Sequence, residues 1–159
     1  MGWKYGFPCR RGFLLVEALL VALILTLGAA FTMPSLRDWQ EERELDMAAQ
    51  TLAASIRQAA VLAKNDAETS VRVSRNYHFN ANTDANGRVV YYTSRGARRM
   101  KPSGTLPSRI ILSGSLALVF DKQGFAGQGQ NYSVYLYTKD RKYKRQVTVA
   151  MYTGRVRVT

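Results

Sequence analysis

An apolar run near the amino terminus restricts the folds open to this chain more than any other feature. Residues 13–33 read FLLVEALLVALILTLGAAFTM, twenty-one residues with Glu17 as their one charged side chain. A helix of that length, at about 1.5 Å per residue, spans the ~30 Å hydrocarbon core of a membrane. Arg10 and Arg11 precede the run, and basic flanks stay on the cytoplasmic side of a bilayer. The sequence therefore predicts one membrane-spanning helix, with the rest of the chain outside the cytoplasm.

Glu17 is the unusual residue of this run, because a carboxylate in the hydrocarbon region costs about 2.5 kcal/mol or more and calls for a partner. Two interpretations follow from the residues alone. The segment could be a plain anchor with an incidental acid, or a secretory signal peptide with a small-residue cleavage site at residues 28–30. The basic pair at 10–11 also matches part of a twin-arginine export signal.

A third interpretation rests on a resemblance, since the start of the chain is similar to the class III signal of type IV prepilins. In that signal a short basic leader ends in Gly, and the mature chain begins with Phe and has Glu at its fifth position. Gly12, Phe13 and Glu17 occupy these places, and Pro34 stands at the twenty-second mature position, where a proline is common. The resemblance implies cleavage after Gly12 and N-methylation of Phe13 by a prepilin peptidase. It also implies that Glu17 pairs with the Phe13 amine of a neighbouring subunit, which would fix the register of a filament.

Residues 35–66 predict an amphipathic helix that continues the stalk. Neither Gly nor Pro interrupts residues 35–64, and apolar residues recur there at spacings of three and four: Leu45, Ala49, Leu52, Ile56, Ala59 and Ala63. We interpret this stripe as a core-facing surface. An acidic cluster precedes it, formed by Asp38, Glu41, Glu42, Glu44 and Asp46. Runs of this kind are usually solvated faces or subunit contacts, which we prefer here to a catalytic or cation site.

After residue 67 the pattern changes to the period-two alternation of β-strands. Residues 89–92 follow an Asn86-Gly87 turn, and residues 113–115 (Ser-Gly-Ser) are interpreted as a tight turn between two further strands. The predicted fold class is α+β, with a long membrane-spanning, pilin-like helix packed on a C-terminal antiparallel β-sheet domain. The predicted segments are a leader (1–12), a transmembrane or filament-core helix (13–34), an amphipathic helix (35–66) and a basic β domain (67–159).

The β domain is strongly basic, because residues 70–159 contain sixteen Lys and Arg against three Asp. One cluster lies near the carboxyl terminus: Lys139, Arg141, Lys142, Lys144, Arg145, Arg155 and Arg157. A second cluster lies earlier in the chain: Arg95, Arg98, Arg99 and Lys101. Since side chains alternate along a strand, Arg155 and Arg157 should leave the same face, and Tyr143 and Tyr152 lie near enough in sequence to stack on bases. These features predict binding of nucleic acid or another polyanion, with lipid headgroups or a merely solubilising surface as alternatives.

Enzymatic chemistry has little support in the sequence. His78 is the one histidine and Cys9 the one cysteine, so no Cys/His pair would remain after leader cleavage and no metal cluster is expected. The Gly-rich stretch 124–129 lacks the spacing of a phosphate-binding loop and opens no helix. We therefore predict no catalytic residue, no metal and no cofactor.

Three segments extend the resemblance to the whole chain: residues 52–73 at the helix end, residues 120–124 (Phe-Asp-Lys-Gln-Gly) and residues 154–158 (Gly-Arg-Val-Arg-Val). They resemble the GspH/FimT family of minor pilins and pseudopilins. In FimT-like members a Gly-Arg-x-Arg motif and neighbouring basic loops bind DNA, and Gly154, Arg155 and Arg157 match that motif.

The resemblance implies a minor pilin of a type IV pilus or competence pseudopilus that binds DNA non-specifically during natural transformation. Its expected partners are DNA, other pilin subunits and the prepilin peptidase. The expected location is the cytoplasmic membrane as a single-pass prepilin and then the extracytoplasmic filament. The alternative is a structural pseudopilin at the tip of a type II secretion pseudopilus.

Overall fold

A computed structural model describes residues 11–69, 76–124 and 130–159, and within the helix it describes the side chains of residues 14–30 and 36–65. An α-helix, α1, occupies Arg11–Thr69. The strands that follow are β1 (Tyr77–Thr83), β2 (Val89–Arg95), β3 (Arg98–Thr105), β4 (Ile110–Leu112), β5 (Leu116–Phe120), β6 (Tyr132–Thr138), β7 (Lys144–Val149) and β8 (Val156–Val158). The chain divides into two units, residues 1–40 and residues 41–159.

The first unit contains the apolar run, which was predicted to span a membrane. Its large apolar side chains, from Leu14 to Leu27, are exposed along α1. No helix in the described part of the chain is both long enough and apolar enough to cross a membrane. The prediction of a membrane-spanning helix is therefore wrong.

The strands of the second unit form two antiparallel sheets, so the prediction of a single sheet is wrong. The first sheet has the order β3-β2-β1-β5 and the second has the order β4-β6-β7-β8. Residues 113–115 do not close a hairpin, since β4 pairs with β6 while β5 pairs with β1. The Ser113 N–H donates to the Tyr135 carbonyl at 2.8 Å and holds this corner against β6. The short segment thus carries the chain from one sheet to the other.

The core of the second unit joins one stripe of α1 to the inner faces of both sheets. The six apolar residues of the predicted stripe, from Leu45 to Ala63, are all buried, which confirms that prediction. Phe79 and Phe120 from the first sheet and Leu136 and Val147 from the second belong to the same core cluster. Burial alternates along β1 and β6, so that every second residue of these strands points away from this core.

Candidate nucleic-acid interface

The outward residues of β6, β7 and β8 form a polar face on the second sheet. Strand register places Tyr137 opposite Lys144, and Tyr135 opposite Gln146. A further row runs across three strands, with Ser133 paired to Thr148 and Thr148 paired to Arg157. These residues, together with Arg155, are exposed or half-buried; we call them the β6–β8 face: Ser133, Tyr135, Tyr137, Lys144, Gln146, Thr148, Arg155 and Arg157.

The last strand aims both arginines of the Gly-Arg-x-Arg motif outward. Val156 between them is 5% exposed and belongs to the core, while Arg155 and Arg157 are exposed. The backbone of Thr159 exchanges two hydrogen bonds with Gln146, at 2.6 and 2.9 Å, which fixes the end of the strand on β7. On the other side, the Arg57 guanidinium of α1 donates to the Val156 carbonyl at 2.9 Å. The strand is therefore anchored along both edges, and its alternation sets the direction of the arginines.

Gly154, the first residue of the motif, has a positional role. Its φ of +62° lies in the left-handed region, and a Cβ on it would stand 2.9 Å from the carbonyl oxygen of Gly124. Its N–H donates to the Ala150 carbonyl at 2.9 Å, which closes the turn before β8. An L-residue is strained in this conformation and would also meet a backbone atom. Gly154 therefore sets the point at which the alternation of Arg155 and Arg157 begins.

The turn between β6 and β7 supplies further positive charge beside the face. Lys139, Arg141 and Lys142 are exposed there, together with Asp140. The turn is ordered by its backbone, because the Arg141 N–H donates to the Thr138 carbonyl at 2.8 Å. Among the described residues of the face and this turn, Asp140 is the one acid.

Arg145, by contrast, is used inside the fold. It lies between two outward residues of β7, and its guanidinium donates to Glu42 at 2.9 Å and to Asp46 at 2.5 Å. Hydrogen bonds to Asp46 and then to Glu42 raise the pKa of Arg145 above its ordinary value. This ion-paired group ties the start of β7 to α1, so two members of the predicted acidic cluster have a partner within the chain.

Two tyrosines of the β6–β8 face were not singled out by sequence reasoning. Tyr135 is 37% exposed, and its ring centroid lies 6.3 Å from that of Tyr137. Of the tyrosines predicted to stack on bases, Tyr143 instead packs against the core, while Tyr152 is 79% exposed in the turn before β8. The alternation YSVYLYT in residues 132–138, with buried Val134 and Leu136, is the signal that could have identified the pair.

The second basic cluster lies on the first sheet, at the β2–β3 hairpin, and is not brought together with the first. Arg98 pairs across the hairpin with Arg95. The Arg99 guanidinium lies 4.3 Å from the Tyr92 ring centroid, and that of Arg95 lies 5.7 Å from Tyr77. Lys101 is exposed further along β3.

The remaining predicted positions lie elsewhere. Gly12 and Phe13 lie at the start of α1, and Glu17 is exposed on it. His78 is exposed on β1. Within the described ranges, no group of three or more His, Cys, Asp or Glu side chains is arranged to hold a metal ion.

Comparison with known proteins adds no relative, because no family model, no curated protein and no solved structure matches this chain. The membership in the GspH/FimT family and the prepilin signal therefore stay predictions.

Proposed function

We propose that this protein binds DNA non-specifically through the phosphates, using the β6–β8 face and the basic turn beside it. The observation that carries the proposal is the placement of Arg155 and Arg157 on one exposed face with Lys144. Arginine side chains fit phosphate oxygens with two parallel hydrogen bonds. Ser133, Gln146 and Thr148 lie among the cations and offer neutral donors of the kind that also contact phosphate and sugar.

The binding is expected to be non-specific because of the shape of this surface. A flat sheet face carrying lysines and arginines follows a backbone, whereas reading bases in a duplex requires an element that enters a groove. Asp140 is the one acid among the described residues of the face and the turn, while Glu41 and Glu44 of α1 line a pocket with Lys139 beside the turn. Attraction to any polyanion follows from charge alone and weakens with salt, so the effect of particular arginines is what distinguishes a defined site.

The resemblance to prepilins supports a proposal for where the protein acts and how it is processed. The protein is a minor pilin that is processed between Gly12 and Phe13 and carries its DNA-binding face on a filament outside the cytoplasm. Glu17 is exposed on α1 and pairs with the amine of Phe13 in a neighbouring subunit. A structural subunit of a secretion pseudopilus would not require a basic face, which is why DNA uptake is preferred.

The test is a salt series of duplex DNA binding by the full chain. About four to six phosphate contacts give a slope of log affinity against log salt of about −4 to −5, at about −0.9 per phosphate. The double variant Arg155→Gln/Arg157→Gln removes two contacts. It should flatten the slope by about 2 and weaken binding about 10- to 100-fold near ~0.1 M salt.

The matched control is Arg98→Gln/Arg99→Gln, which removes the same charge from the first sheet. It should change the slope by less than half as much, because its guanidinium groups lie on a different sheet. Equal losses for the two double variants would refute a site confined to the β6–β8 face. A flat salt response of the parent protein would refute phosphate binding altogether.

A further inference from the structure

The two tyrosines of β6 occupy a position that phosphate binding does not explain. Tyr135 and Tyr137 are separated by one residue on the strand, so both rings lie on the β6–β8 face. Their cross-strand partners on β7 are polar, Gln146 beside Tyr135 and Lys144 beside Tyr137. Exposed aromatic rings on a strand usually gain by pairing with an aromatic or β-branched neighbour across the sheet. Tyr137 has such a neighbour on the β4 side, where Ile111 lies opposite it. On the β7 side each ring is bordered by a hydrogen-bonding or cationic side chain.

The spacing of the rings distinguishes between forms of nucleic acid. Their centroids are 6.3 Å apart with the planes inclined by 39°. Successive bases of a duplex are stacked about 3.4 Å apart along a strand and are covered by their neighbours. Bases that stack on rings separated by nearly twice that rise must be unstacked from each other. A single strand meets that requirement, whereas a duplex would have to open.

The surrounding cations lie where the backbone of such a strand would run. Lys144 is directly opposite Tyr137, and Arg157 lies one row beyond Tyr135 on the edge strand. Gln146 stands between them, opposite Tyr135, with an amide that can donate to a base or accept from it. Aromatic rings beside a basic track are the combination by which proteins hold single strands without reading their sequence.

We propose that Tyr135 and Tyr137 stack on two adjacent bases of single-stranded nucleic acid, with Lys144 and Arg157 on its phosphates. This inference rests on the proposed function, since it assigns a ligand class to the same face. Phosphates supply the attraction and the rings supply the preference for unpaired bases. Stacking is tolerant of sequence because every base has a π face.

The experiment compares three ligands of equal length with the full chain: a poly-dT strand, the same strand with abasic sites and a duplex. The parent protein should bind poly-dT more tightly than the abasic strand, by about five- to 150-fold for each stacked base. Tyr135→Thr/Tyr137→Thr, which retains β-forming residues, should abolish that difference and change duplex binding less than twofold. Tyr135→Phe/Tyr137→Phe keeps the rings and should behave as the parent.

The outcomes separate this inference from the proposed function. If Arg155→Gln/Arg157→Gln weakens binding to all three ligands while the threonine variant changes none, stacking is refuted and phosphate binding stands. If the threonine variant weakens poly-dT, abasic strand and duplex equally, the tyrosines support the face without stacking, and the inference is again refuted. Binding of a neutral oligosaccharide that only the threonine variant loses would assign the rings to a glycan instead.

Discussion

Replacing Gly154 by alanine tests whether the turn before β8 is held by the close approach of two loop backbones. Gly154 has a φ of +62°, and an added Cβ would stand 2.9 Å from the Gly124 carbonyl oxygen. Gly124 in turn lies close to α1, because a Cβ on it would be 3.0 Å from the Ala60 carbonyl oxygen. The two glycines therefore stand one behind the other against the helix, and the added methyl group has to displace backbone.

The expected loss of stability in Gly154→Ala has two contributions. A left-handed conformation costs an L-residue about 1–2 kcal/mol relative to glycine. Overpacking a close contact adds about 1–3 kcal/mol when the neighbour cannot move away. The free energy of unfolding of Gly154→Ala should therefore fall by about 2–5 kcal/mol. For a chain of 159 residues that corresponds to a Tm lower by about 5–15 °C.

Gly87→Ala is the matched control for this measurement. Gly87 has a φ of +72°, but an added Cβ there would have no other atom within 4 Å. Thermal unfolding should therefore register only the backbone cost, about 1–2 kcal/mol, or a Tm lower by about 3–6 °C. A Gly154→Ala variant that loses no more stability than Gly87→Ala would refute the close approach, and with it the positional role of the motif glycine.

Three further predictions concern the helix and its amino-terminal end. Arg145→Gln should lower the free energy of unfolding by about 1–2 kcal/mol in chemical denaturation, since it breaks hydrogen bonds to Asp46 and Glu42; an unchanged midpoint would refute this contribution. Mass spectrometry of the native protein should find a chain that begins at N-methylated Phe13, and a start at Phe31 would support export-signal cleavage instead. Glu17→Val should leave that start unchanged but prevent recovery of the protein in filaments.

Local patterns in the sequence predicted the faces of individual elements better than their arrangement. The helix stripe is buried as expected, and the Asn86-Gly87 turn does connect β1 to β2, because both depend on contacts between near neighbours. The pairing of β4 and β5 with different sheets depends on partners far along the chain. A three-residue connection such as 113–115 is compatible with a hairpin or with a corner, and nothing local distinguishes them.

The sequence also predicted only those features of the candidate site that depend on local pattern. Arg155 and Arg157 lie on one face because strand alternation alone determines that relation. Arg145 resembles its basic neighbours in sequence, but its partners are 99 and 103 residues away on α1. Alternation with the buried Val147 and Val149 places Arg145 on the inward face of β7. Which side chains of α1 it meets there depends on how the sheet packs on the helix, which no local pattern specifies.

The division of charge between the two sheets also limits what a salt series can show. Sixteen basic residues follow residue 69, yet only Lys139, Arg141, Lys142, Lys144, Arg155 and Arg157 are exposed on or beside the β6–β8 face. Six cations can contact at most about six phosphates, so this face alone gives a duplex slope no steeper than about −5.4. A steeper slope would require cations from elsewhere, such as Arg98 on the first sheet. The control variant Arg98→Gln/Arg99→Gln would then flatten the slope as much as Arg155→Gln/Arg157→Gln does. That result would mean that the interface includes residues of both sheets.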